Sequence, residues 1–145
     1  MRFEWTAALM MCPEPAWATT KGATLVKLGP ALVLTPDLIE SLGFYRDILG
    51  LTLTGQFEGH LVFDSGTWSL HVFRCEGKTP PHRHGRDGGS VITFEVASID
   101  QTMEALKAKG VKFLHEAPTV NRDIGLRYAA FMAPGGNTHE LVERI

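Results

Sequence analysis

Two cysteines are all that the 145 residues carry, Cys12 and Cys75, and they show no CxxC spacing. A chain of this size hides roughly two thirds of the surface its unfolded form exposes, so it needs no disulfide framework. Free thiols in a reducing cytosol are the expectation, with the cytoplasm as the expected location. Long apolar runs are missing too. Nothing approaches the ~20 residues that span a bilayer, which removes an integral membrane protein and leaves no membrane partner. Nor is positive charge in excess: 14 Lys and Arg stand against 16 Asp and Glu, for a formal net charge of -2, and the basic residues are scattered. Without a basic stripe there is no electrostatic footprint for nucleic acid. What is present is a globular composition, 44% hydrophobic and 21% charged, unlike that of a disordered chain.

Residues 1–22 stand apart as an N-terminal extension. Arg2, the apolar stretch from Ala7 to Cys12 and Ala16-Trp17-Ala18 have the outline of an export signal. The run is short, however, and Glu4 sits where such signals are basic, so export is not expected. Trp5 and Trp17 flank Pro13 and Pro15, a pattern suited to packing aromatics onto the body or onto a partner chain.

The remainder, residues 23–145, repeats itself. From Leu25 an apolar run reaches Leu34; Asp37 with Glu40 offers a capping box, and Leu38, Leu42, Tyr45 and Leu49 fall at helical spacing. Sixty-one residues after Asp37 comes Ser98, with Gln101 three further on and an apolar stripe at Ile99, Met103 and Leu106 behind a strand at Val91–Val96. Gly50 and Gly110 supply the two C-terminal caps. Turn sequences at Ser65-Gly66-Thr67 and Pro134-Gly135-Gly136-Asn137 each precede a strand, and here the offset is 69 residues, from His71 to Glu140. The fold class is therefore α+β: two tandem βαβββ modules, about 25–74 and about 90–145, joined by a polar linker at about 75–89. Curved mixed sheets are expected around a cleft, with helices on the convex side.

Strand parity selects what lines that cleft, because alternate side chains face opposite sides. Leu70 and Val72 belong to the helix side, and Ser69, His71 and Phe73 to the cleft. His139 and Leu141 go to the core, with His139 making a backbone hydrogen bond, while Thr138, Glu140 and Val142 face inward. Pro30, Leu32 and Leu34, with Val91, Thr93 and Glu95, complete the lining.

Pro36-Asp37-Leu38, the segment Ser41-Leu42-Gly43-Phe44-Tyr45-Arg46-Asp47-Ile48-Leu49-Gly50-Leu51 and the closing Pro134-Gly135-Gly136-Asn137-Thr138-His139-Glu140-Leu141-Val142-Glu143 carry a family likeness. From about Leu25 to Ile145 the chain resembles the vicinal oxygen chelate superfamily, the glyoxalase, bleomycin-resistance and extradiol-dioxygenase group. That resemblance implies the same scaffold for isomerases, dioxygenases, thiol transferases and proteins that sequester antibiotics, so fold alone does not name the activity. It also implies four pseudo-symmetric metal-ligand points on the first and last strands of the modules. Here they align with Pro30, His71, Val91 and Glu140, and two of the four have no ligating side chain. Catalytic zinc or iron sites usually need three protein ligands, so two hold metal weakly.

The leading expectation is a protein that binds a small organic molecule in the cleft with no cofactor, through Phe73, Phe57, Thr93, Glu95 and Tyr128, with Trp68 a further flat surface. Glu140 and His71 are the candidate catalytic pair. The alternative is a divalent-metal lyase, isomerase or dioxygenase holding Mn, Fe, Ni or Zn through His71, Glu140 and His60. The remaining histidines receive plainer readings: His82 and His84 solvated in the linker, His115 on the surface. Arg122 and Arg127 read as ordinary surface charge. A homodimer is expected from the resemblance and from the open sheet edges.

Overall fold

The computed structural model describes residues 26–145; the extension at 1–22, with Cys12, Trp5 and Trp17, lies outside the described residues. Two four-stranded mixed sheets make up the body. In the first, strands β1 (Ala31–Thr35), β2 (Thr52–Gln56), β3 (His60–Asp64) and β4 (Ser69–Arg74) take the order β1-β4-β3-β2. In the second, β5 (Ile92–Glu95), β6 (Thr119–Asn121), β7 (Leu126–Met132) and β8 (Thr138–Arg144) take the order β5-β8-β7-β6. β1 runs parallel to β4 and β5 parallel to β8, while the other pairings are antiparallel. The sequence duplication is thus a structural one: Leu32 lies opposite His71 just as Thr93 lies opposite Glu140.

Helix α1 begins at Leu38, where the Asp37 carboxylate accepts from the amides of Ile39 and Glu40 at 2.9 and 3.0 Å. Such a cap stabilises by about 1 kcal/mol. The capping box is only half formed, since the Asp37 amide turns to the Thr35 hydroxyl and not to Glu40. After Leu38–Leu42 the chain widens into π-helical turns over Gly43–Ile48, and the Leu49 amide donates to Phe44 O five residues back, at 2.9 Å. The wider turn goes with burial of the consecutive residues Phe44 and Tyr45. Helix α2 (Ile99–Ala108) keeps regular spacing and buries the expected stripe, Ile99, Met103 and Leu106. Its first amide, Ile99 N, donates to the Glu143 carboxylate at 2.9 Å, which pins the helix to β8. Both helices stop before glycines in the left-handed region, Gly50 at φ 77° and Gly110 at φ 88°.

The helix-side faces of the two sheets share one core. Tyr45 of α1 packs on Phe63 of β3 and on His139 of β8, and Phe44 reaches Phe131 of β7. Val33, Leu61, Leu70, Val72, Leu141 and Ala129 fill the space around them. Each large apolar side chain buried in this way contributes roughly 1.5–3 kcal/mol. Burying both helix faces in one core leaves the opposite face of each sheet turned outward, and those faces carry the candidate functional groups.

Candidate functional site

Glu140 owes its position to strand alternation. Its neighbours His139 and Leu141 are each 2% exposed on the core side, and Glu140 projects from the other face between Thr93 on β5 and Ala130 on β7. A cavity of about 980 Å³ opens there, at the boundary of the modules. Sheet 2 and the linker supply most of its lining, including Val91, Thr93, Glu95, Tyr128 and Val142; module one contributes Leu49, Leu51 and Trp68.

The linker is largely exposed and His82 is solvated as expected, but His84 is not. Thr79 N donates to Gly135 O at 2.7 Å, anchoring its start against the turn before β8. A tight turn then forms in which the Arg83 guanidinium binds Asp87 at 2.6 Å and the Asp87 amide returns to Arg83 O. That pairing holds the Asp87 carboxyl below, and the Arg83 guanidinium above, their ordinary pKa ranges. Held between them in sequence, His84 reaches down to Glu140, with Nε2 2.8 Å from Oε1 and only 12% and 18% of the two side chains exposed. His115 is not a plain surface residue either: its ring lies 5.8 Å from that of His84 and 5.7 Å from that of Tyr128, edge to face with the latter.

Sheet 1 presents a different group. Phe57, His60 and Phe73 stack with centroids 4.5 and 4.6 Å apart and planes within 9°, and His71 extends the stack at 6.0 Å from His60. Gly55 makes this possible, since a Cβ there would come within 2.9 Å of the Phe57 ring.

The expected residues therefore divide. Thr93, Glu95, Tyr128 and Glu140 line one cavity; Phe57, His60, His71 and Phe73 form a platform on the other sheet, and His71 is not among the described residues that line the cavity of Glu140. Glu95 sits at the rim, paired with Arg144 at 3.0 Å. Arg127 is structural, bridging Glu143 and Asp100 beside α2, whereas Arg122 is exposed as expected. His139 is a core residue, and its Nε2 pairs with the Tyr45 hydroxyl at 2.7 Å. The spacing of Arg83 and Asp87 around His84 was the available signal for a folded linker.

This geometry agrees with a comparison of the whole sequence: residues 27–141 match the Glyoxalase/Bleomycin resistance protein/Dioxygenase superfamily. The chain belongs to that superfamily. Among relatives of this glyoxalase-superfamily chain is a manganese-dependent 2,3-dihydroxybiphenyl 1,2-dioxygenase of Geobacillus genomosp. 3, 29% identical over 121 residues. That match takes in 82% of this chain and only 37% of the relative, so the chain spans little more than a third of its length. Solved structures with the same fold include a glyoxalase/bleomycin resistance protein/dioxygenase from Alicyclobacillus acidocaldarius, with TM-score 0.68 and 15% identity over 82% of this chain and 92% of that one. Lactoylglutathione lyase from Agrobacterium tumefaciens gives 0.60 and 18% over 81% and 92%. At these identities the likeness is one of fold.

The dioxygenase raises the question of a divalent cation, and among the described residues the donors of this chain do not assemble a three-ligand set for one. Pro30 and Val91 offer no side-chain donor, His60 is held between two phenyl rings, and Glu140 is paired with His84. Among the described residues no group of three or more His, Cys, Asp or Glu is placed to hold a metal.

Proposed function

We propose that this chain binds a small organic molecule in the cavity at the module boundary, in the manner of a glyoxalase/bleomycin-resistance-like protein without the standard metal set. One observation carries the reading: a half-buried carboxylate, Glu140, faces a cavity of about 980 Å³ whose walls include Trp68, Val91, Leu126, Tyr128 and Val142. Largely apolar walls with a few convergent polar groups are the usual build of a small-molecule site. Glu140 is the group placed to act on the bound molecule, with Thr93, Glu95 and Tyr128 around it.

The reading includes a cytoplasmic homodimer. On the outward side of sheet 1, Leu32 and Leu34 on the edge strand β1 are 59% and 55% exposed, and Phe57, just after β2 at the opposite edge, is 57% exposed. A second copy laying its sheet 2 across this face covers those side chains. It also brings the Phe57, His60, His71 and Phe73 platform to the partner's cavity. Elemental analysis of protein purified without added ions, alongside tryptophan quenching by aromatic ligands, tests the proposal. Saturable quenching with no stoichiometric metal supports it, and a tightly held metal at one per chain defeats it.

The manganese-dependent relative motivates a second reading, in which His71, Glu140 and His60 serve Mn, Fe, Ni or Zn in a dioxygenase, lyase or isomerase. Titration with those four ions separates the two. A raised melting temperature favours the second reading, and an unchanged one rejects it.

A further inference from the structure

The linker histidine goes beyond the family's strand-borne positions. His84 arrives from outside both sheets, yet it is held in place by the Arg83–Asp87 turn and by the Thr79–Gly135 anchor. Its Nε2 donates to Glu140 Oε1, and among the described residues no other donor reaches the carboxylate, so Oε2 is left to the cavity that Glu140 lines. The charges around that oxygen decide what it accepts. Arg144 is committed to Glu95 at 3.0 Å, Arg83 to Asp87, and the ring of His82 turns to the Pro80 carbonyl. An incoming anion therefore meets carboxylates with no uncommitted guanidinium or ammonium among the described lining residues. A hydroxyl or amine meets an acceptor.

We propose that His84 is a positioning residue of the ligand site: by holding Oε1 it aims Oε2 of Glu140 at the ligand, so the site selects molecules with an O–H or N–H donor on a flat apolar body and rejects anions. The inference rests on the binding function proposed above. Tyr128 and Trp68 line the same cavity and supply surfaces for a planar ring. A hydrogen bond to a charged acceptor that only the donor-bearing ligand can make is worth about tenfold in affinity.

Three matched probes test it by titration calorimetry on the full chain: 2-naphthol, with a donor; 2-methoxynaphthalene, without one; and 2-naphthoate, an anion. The native protein is expected to bind 2-naphthol about tenfold more tightly than the methyl ether, with naphthoate the weakest. In His84→Ala the preference for naphthol falls below about twofold while the methyl ether binds as before; His84→Gln restores part of it, which a merely structural role would not produce. Melting curves of both variants confirm that they fold. Binding of all three probes without discrimination, or an unchanged preference in His84→Ala, overturns the inference and leaves the binding function standing. Failure of every probe to bind the native protein overturns both.

Discussion

The Tyr45 hydroxyl and His139 Nε2 meet at 2.7 Å in the buried core, joining α1 of the first module to β8 of the second. Burial pushes the tyrosine pKa up and the histidine down to about 4, so at neutral pH the phenol donates to an uncharged ring. The proton of that ring then sits on Nδ1, which is buried without a partner. One buried hydrogen bond therefore links the two modules one residue from Glu140.

Tyr45→Phe removes the donor and leaves both ring nitrogens of His139 unpaired. Burying a polar atom without a partner costs about 1–3 kcal/mol, and the expected loss of stability falls in that range. Urea unfolding of the native and substituted chains measures it; equal midpoints would deny the bond an energetic role.

Acid should weaken the fold through the same residue. In the unfolded chain His139 protonates near its ordinary value of 6.5, while in the folded chain it stays neutral down to about 4. Its contribution is complete above pH 6.5 and is lost progressively as pH falls from there to about 4, on the order of 3 kcal/mol in total. The surrounding side chains, Tyr45 of α1 and Phe94 and Phe131 on β5 and β7, carry no charge, and only the Thr138 backbone pulls the other way, less strongly than burial. Melting temperatures between pH 7.5 and 4.5 should drop less steeply in His139→Gln than in the native protein, although the variant starts lower.

Gly135 holds the turn that delivers β8. It sits at φ 77°, and a Cβ there would lie 3.1 Å from Leu34 O and 3.2 Å from Thr35 Cα. Backbone cannot retreat as a flexible side chain can, so Gly135→Ala is expected to cost about 1–3 kcal/mol and to loosen the Asn137 contact to Leu34 O. Gly59→Ala, with open space around its Cβ, is the control. Thermal denaturation of the two variants should separate them clearly.

Much of this arrangement was legible beforehand because it depends on local rules. The caps at Asp37 and Ser98, the stripe Ile99, Met103 and Leu106, and the glycines closing each helix follow from helical period and left-handed geometry. Parity placed His139 in the core and Glu140 opposite it. What escaped is non-local. Nothing in strand alternation says that a polar linker folds back through the Arg83–Asp87 turn to set His84 on Glu140, or that His71 joins a stack made possible by Gly55 on the other sheet. The π-helical widening of α1 was equally invisible, since Leu38, Leu42, Tyr45 and Leu49 fit a regular period.

Self-association has a direct test in Leu34. At 55% exposure on the outward face of sheet 1, it is expected to be covered in the dimer. Leu34→Glu should shift sedimentation at micromolar concentration from dimer to monomer without lowering the melting temperature of the chain itself. A native protein that sediments as a monomer would remove the homodimer from the account.

The most direct measurement is a crystal structure of the protein grown with 2-naphthol and with manganese present. Planar density against Tyr128, with its oxygen within hydrogen-bonding distance of Glu140 and His84 still paired to the same carboxylate, is the expected result. A fully occupied metal ion ligated by Glu140, with the naphthol absent, would contradict it.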